Sequence, residues 1–372
     1  MADQTMASSS AVPPSNLLSK GPLGWVRANL FNNWFNSILT ILIFWMLFEL
    51  VPGIFSWLVL DAVWGPEPAS VCREATGACW AFLHEKWRFI IFGRYTFDEQ
   101  WRPAIAMAIL IALLVVSCNR NYWRKELGYA WGIVWVVFFT LMHGEILFLV
   151  PTGMTVVPTQ QWGGLPLTLI LATIGVTVAF PLGILLALGR RSKMPGIRIL
   201  CIAYIELIRG VPLITVLFMA SVMFPLFLPT GVTIDGLLRA QIGIILFAAA
   251  YLAEVVRGGL QALPKGQYEA ADSLGLTYWQ SMRLIILPQA LRISIPPLVN
   301  TFIGLFKDTS LVAIIGLFDL LGAAKAAFTD AEWLGFYKEP YLFVSVIYWI
   351  FCYSMSKYSQ YLETTLNAGT RR

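Results

Sequence analysis

From Leu165 to Leu188 the chain carries no charged side chain, and as a helix that run is long enough to cross hydrocarbon about 30 Å thick. Seven further segments are apolar runs with few charges: Asn36–Leu60, Pro103–Cys118, Tyr129–Val150, Leu200–Leu228, Leu237–Val256, Ile293–Phe318 and Tyr341–Tyr361. Each is largely apolar and bounded by Pro, Gly or charged residues. Lipid offers backbone N–H and C=O groups no partner, so these runs read as helices. Composition agrees: 58% of residues are hydrophobic and 13% charged, with a mean hydropathy of +0.70, outside the range of soluble domains. The expected fold class is all-α integral membrane, with about eight transmembrane helices. The second span is short. The fifth begins either at Leu200 or only after Arg209-Gly210, because Pro212 interrupts the helical ladder.

Lys and Arg positions set the orientation. They collect around Lys20 and Arg27, in the loop with Arg120, Arg124 and Lys125, around Arg190, Arg191, Lys193 and Arg198, and in the loop with Arg257, Lys265, Arg283 and Arg292. Lys357, Arg371 and Arg372 continue the pattern in the tail. The loops between spans three and four and between five and six carry neither residue. Both termini and the loop around Glu269 are therefore expected in the cytoplasm. Residues 61–102 fit less well, since this outside loop holds Arg73, Lys86, Arg88, Arg94 and Arg102, balanced by Glu67, Glu74, Glu85, Asp98 and Glu99. The net charge of +5 follows from positive-inside topology and anionic lipid, and calls for no nucleic-acid partner.

Residues 1–35, with Ser8-Ser9-Ser10 and Pro13-Pro14, are too polar for a cleaved signal peptide and are expected to form a disordered cytoplasmic segment. Residues 36–150 form an accessory region of three spans with the outside loop 61–102. Residues 151–365 form the working core with the loop 257–292, and 366–372 a cytoplasmic tail. Of five cysteines, Cys72 and Cys79 lie in the outside loop. An oxidising compartment would let them bridge, and two free thiols packed in a small subdomain fit as well; alkylation with and without reduction decides between these.

The loop between spans six and seven carries the most functional information. Pro264 and Gly266 break the preceding helix, Gln267–Leu274 favours a short helix, and Gly275 suits a left-handed cap. Such a helix, with Ala270, Ala271 and Leu274 on one side, makes a compact knob for a soluble partner. Glu269-Ala270-Ala271, then Gly275, then Ile285-Ile286-Leu287-Pro288 resembles without a gap the cytoplasmic signature of ABC-importer permeases. Arg209-Gly210-Val211-Pro212-Leu213, Tyr251–Gly259, Pro288–Arg292 and Lys307–Leu311 resemble the polar amino-acid (histidine/glutamate/glutamine/arginine/opine) uptake permeases; Val211 departs from the commoner Thr. The resemblance covers roughly residues 160–365, and the extra amino-terminal spans look like the general L-amino-acid permease subunits.

The resemblance implies a five-helix permease core plus three amino-terminal helices, in the bacterial inner membrane. It implies Tyr268, Glu269, Ala270, Ala271, Asp272, Leu274 and Gly275 as the elements that couple to an ATPase. It also implies partners: a second homologous permease subunit, two cytoplasmic ATP-binding subunits that hold ATP and Mg, and an extracytoplasmic amino-acid-binding protein.

Glu206 with Arg209 and Glu254 with Arg257 are each spaced to share a helix face and are expected to form structural ion pairs. Lys307 and Asp308 interrupt an apolar span, where charge is costly unless paired or facing a polar cavity. With Thr309, Ser310 and Asn300 they are candidates for a substrate or gate position in a broken helix; a purely structural network at the break remains the other reading. No Gly directly precedes a Lys, so the phosphate-cradling Gly-Lys loop is absent. No metal site or catalytic constellation is apparent, so no cofactor is expected in this chain. The rival to an ATP-driven permease is an ion-coupled carrier or channel, whose coupling charges would sit at the midplane.

Overall fold

The computed structural model describes residues 21–367; the expectations for the polar start with Lys20 and for the tail with Arg371 and Arg372 lie outside the described residues. The chain divides into two compact units, one ending at Cys79 and the other running from Trp80. That division does not fall at residue 150, where the sequence separates accessory region from core.

In the first unit, α1 (Pro22–Asn29) opens with Pro at its first turn, so the segment expected to be disordered up to residue 35 is partly helical. The Asn33 side chain caps α2 (Trp34–Phe55) by accepting from the Asn36 N–H, and α2 continues as a π-helical turn over Ser56–Leu60. Beyond it the chain folds back: Val63 N–H donates to Ala78 and Ala78 N–H to Trp57. A short helix α3 (Ala69–Glu74) lies between, and Cys72 and Cys79 are disulfide-bonded with their Cα atoms 5.5 Å apart. The bonded reading is the one realised.

The second unit opens with a helix where the sequence suggests only loop. This is α4 (Trp80–Phe92), which is followed by α5 (Trp101–Ser117) and α6 (Lys125–His143). The third span is shorter than expected: α6 stops at Gly144, and β1 (Glu145–Ile146) pairs antiparallel with β2 (Val150–Pro151). Apolar composition carries the sequence reading on to Val150, but Leu147 and Phe148 adopt positive φ in the turn, where no helix can continue.

Three long helices form the core: α7 (Gly164–Arg190), α10 (Gly236–Ala262) and α13 (Leu287–Asp308). Close approach is permitted by small residues, since a side chain at Gly183 would strike Leu252 and Ala253 and one at Gly259 would strike Ala290 and Ser294. Ala249, Ala250, Leu252, Ala253 and Val256 of α10 are wholly buried. The fifth expected span is not one helix. Instead α8 (Pro195–Arg209) and α9 (Leu213–Phe218) meet across Gly210–Pro212, the α8 and Leu213–Phe227 axes being bent by 103°. Pro212 cannot donate to the ladder, so the break falls there. The seventh span also differs: its helix begins near Tyr278 and reaches Asp308, then tightens to a 3-10 helix over Thr309–Ile315. After α14 (Leu320–Ala327), the 30-residue α15 (Lys338–Asn367) carries the eighth expected span. Among the described residues six helices are long and apolar enough to cross a membrane, and the bent pair makes a seventh.

Candidate functional site

α10 ends at Ala262, and Pro264 then starts α11 (Lys265–Ser273), one residue earlier at its end and two at its start than the sequence suggests. Gly275 follows in the left-handed region, φ +66°, and its N–H donates to Asp272 at 3.0 Å while that of Leu276 donates to Ala271 at 3.3 Å. Thr277 and Gln280 then form a capping box for α12 (Tyr278–Ser281), which runs through a π-helical turn, Met282–Ile286, into α13. Helix, glycine turn, helix is thus the arrangement.

Ala271 alone of α11 is buried, wholly. Glu269, Ala270, Asp272, Leu274 and Gly275 are exposed, so Ala270 and Leu274 do not share the inward side with Ala271. They join Tyr278, Trp279 and Leu284 as exposed apolar groups. Exposed apolar groups beside acidic residues are the chemistry that suits contact with a partner.

Tyr268 faces the bundle. Its hydroxyl donates to the Leu260 carbonyl at 2.9 Å and accepts from Arg191 Nη1 at 2.9 Å, with the Arg191 guanidinium 5.2 Å from the ring centre. On the other side Gln289 Nε2 donates to Gln267 Oε1 at 3.0 Å. The short helix is therefore bolted to the ends of α7, α10 and α13. Arg191 and Gln289 are neighbours of this helix that sequence spacing does not reveal, because the contacts join distant segments.

Next to this seat lies a charge network centred on Glu254. Arg257 pairs with it at 2.6 Å, as expected, but Arg190 also pairs with it at 2.7 Å and Arg209 approaches at 3.5 Å. The expected Glu206–Arg209 pair is not formed; Glu206 pairs with Arg190 at 3.0 Å. Helical spacing alone favours Arg209 as its partner, whereas packing brings the end of α7 between α8 and α10 and supplies Arg190 instead. The network ties three helix ends together.

A second feature is a cavity of about 380 Å³ between α10 and α13, lined by Phe247, Tyr251, Asn300, Thr301 and Asp308 among others. It brings Asn300 and Asp308 together. It does not collect the other candidates: Lys307 is exposed and outside the lining, Thr309 is buried with its hydroxyl on the Phe306 carbonyl, and Ser310 lies beyond it in the 3-10 segment. The tightening of the helix after Asp308 turns Thr309 and Ser310 elsewhere, whereas Lys307 still belongs to α13 and is exposed on another face of it.

Residues 179–367 match the family described as binding-protein-dependent transport system inner membrane component. The chain belongs to that family. The Escherichia coli K12 inner membrane amino-acid ABC transporter permease protein YhdY is 52% identical across 96% of this permease and 96% of its own length. The glutamate/glutamine/aspartate/asparagine transport system permease protein BztC of Rhodobacter capsulatus is 40% identical, again over 96% of both chains. The Bacillus subtilis L-cystine transport system permease protein TcyB is 37% identical over 64% of this permease and 91% of its own length. In this permease the family match runs unbroken from within α7 to the end of α15, and so includes α11 and the Glu254 network. This permease is accordingly the membrane-spanning subunit of an ABC importer.

Proposed function

We propose that this permease moves amino acids inward, paired with a second, related permease subunit. Two ATP-binding subunits, which hold the ATP and Mg, would dock below on α11, and a soluble amino-acid-binding protein would deliver substrate from the opposite side. Both termini and α11 lie in the cytoplasm on this reading, and the chain hydrolyses nothing itself. The observation that carries it is α11: an exposed acidic and apolar helix, Glu269 to Leu274, fastened to three helix ends through Tyr268 and Gln267. A helix so fastened passes a push from a docked motor into the bundle, which is the differential contact a two-state transporter needs. The amino-acid cargo is supported by the names of YhdY and BztC, which match nearly the whole chain. Asn300 and Asp308 are the groups proposed to meet it, Asp308 on the ammonium and Asn300 on the carboxylate.

The test is reconstitution of the complete complex in vesicles, with ATP-dependent uptake measured across a panel of amino acids. Glu269→Lys should abolish co-purification of the ATP-binding subunits and uptake with it. Uptake by this chain alone, driven by an ion gradient, would overturn the reading.

A further inference from the structure

We propose that the cleft between α4 and the segment after α14 is a carboxylate-binding site, formed by Arg88 and Arg94, that receives an acidic side chain of the soluble binding protein. The inference rests on the importer reading above. The cleft measures about 530 Å³, and its charges are unevenly satisfied. Lys86 is neutralised by Asp330 at 2.7 Å and Glu85 at 2.8 Å. Of the two acids that follow Arg94, Asp98 is exposed and does not line the cleft, and Glu99 is held by Arg102 at 3.6 Å and by the Thr155 hydroxyl at 2.9 Å. Among the described residues that leaves neither Arg88 nor Arg94 an ion-pair partner.

Both guanidinium groups are nonetheless held in place. That of Arg88 lies 3.6 Å from the Phe97 ring centre, with Nε donating to Gln100 at 2.8 Å and Nη2 to the Phe97 carbonyl at 3.1 Å; Nη1 stays available. That of Arg94 lies 3.8 Å from the Phe318 ring centre, exposed to solvent. A planar fork stacked on an aromatic ring loses little freedom when it accepts a carboxylate, and carboxylates are the groups such forks match.

The position names the source. Gly93 and Gly163 are in backbone contact at the beginning of α7, whereas Arg191 at its end holds α11. A helix of 27 residues, about 40 Å long, separates the two. If α11 meets the ATP-binding subunits, the cleft opens where the binding protein arrives. A free amino acid suits it less well, because its ammonium would need a carboxylate and both in the cleft are committed to Lys86.

The experiment uses the complete complex in nanodiscs of neutral lipid, titrated with the system's own binding protein loaded with glutamate, and reads stimulated ATP hydrolysis. Arg94→Gln should raise the half-saturating concentration about threefold, and the double variant with Arg88→Gln about tenfold. Both should flatten its dependence on salt, with Arg94→Lys recovering part of the loss. Because Arg94 is exposed, its variant tests the idea even if Arg88→Gln fails to fold. Unchanged half-saturation and salt slope in Arg94→Gln would overturn the proposal. So would competition by free glutamate in excess, or an effect seen only when anionic lipid is added, since these assign the cleft to a small molecule or a headgroup. If the unaltered complex shows no stimulation by the binding protein, the importer reading itself fails and takes this one with it.

Discussion

Arg191 Nη1 donates to the Tyr268 hydroxyl at 2.9 Å, and that hydroxyl donates in turn to Leu260, so one oxygen joins the ends of α7 and α10 to α11. Tyr268→Phe deletes both bonds while keeping the ring. The loss of anchoring is about 1 kcal/mol, a roughly fivefold rise in the undocked population of the helix. ATP hydrolysis by the complex should persist while uptake per ATP falls. Equal loss of both would mean that Tyr268 serves assembly and not coupling.

Glu254 carries the greater structural load. Three arginines converge on its carboxylate, whose side chain is 13% exposed. Glu254→Gln leaves like charges facing one another, at a cost of about 1.5–3 kcal/mol. A lowered Tm in detergent is expected, and the combined variant with Arg190→Gln should be less destabilised than the two single effects added. Additive effects would show that the pair does not interact.

Asp308→Asn keeps the shape of the α10–α13 cavity and removes its acid. If the substrate ammonium sits there, the KM for uptake should rise at least tenfold, the equivalent of about 1.4 kcal/mol, while co-purification of the ATP-binding subunits is unaltered. An unchanged KM and kcat would remove the cavity as a substrate position.

The membrane class and the short helix were legible because each depends on local pattern: an uncharged apolar run at Leu165–Leu188, a Pro–Gly break before Gln267 and a glycine after Leu274. The end of α6 was not, since Leu147 and Phe148 look like continuing span and only the backbone turn at β1–β2 exposes the difference. Arg190 as partner of Glu206 was hidden for another reason. The i,i+3 rule sees one helix at a time, and the competing cation arrives from a second one. The short helix lies within two residues of where the local pattern puts it, while the parts that hold it, Arg191 and Gln289, are supplied by tertiary contact. Of the five substrate or gate candidates around the end of α13 only Asn300 and Asp308 line the same cavity: Lys307, still on α13, is exposed on another face of the helix, and the change to a 3-10 helix at Thr309 redirects Thr309 and Ser310.

The Cys72–Cys79 bridge closes a small loop, and by loop-closure entropy it contributes about 2.5 kcal/mol to the first unit. Alkylation of the intact protein should label these two cysteines only after reduction, as read by peptide mass. Labelling without reduction would show that the thiols are free.

Lys86 and Asp330 clasp α4 to the segment after α14 at 2.7 Å, and the clasp should respond to pH at both extremes. For Lys86, burial works against the charge but is outweighed by hydrogen bonds to Asp330 and Glu85, which leave it above its ordinary 10.5. For Asp330, the hydrogen bond from Lys86 is the main cause holding it below its ordinary 3.8. A raised lysine contributes stability that is complete below 10.5 and lost as pH climbs through its folded value; a depressed carboxylate contributes stability that is complete above 3.8 and lost as pH falls through its folded value. The clasp is therefore intact throughout the neutral range. Asp330 is largely exposed, so water and salt screen the pair and its worth is about 0.5–1 kcal/mol. The protection of α4 amides, as exchange corrected for its intrinsic pH dependence, should be greatest between these limits, and Asp330→Asn should lower it at neutral pH while abolishing the acid limb. High salt should narrow the gap between the two proteins; a gap that ignores both salt and acid would assign the protection to the Phe82–Trp333 ring contact instead of the ion pair.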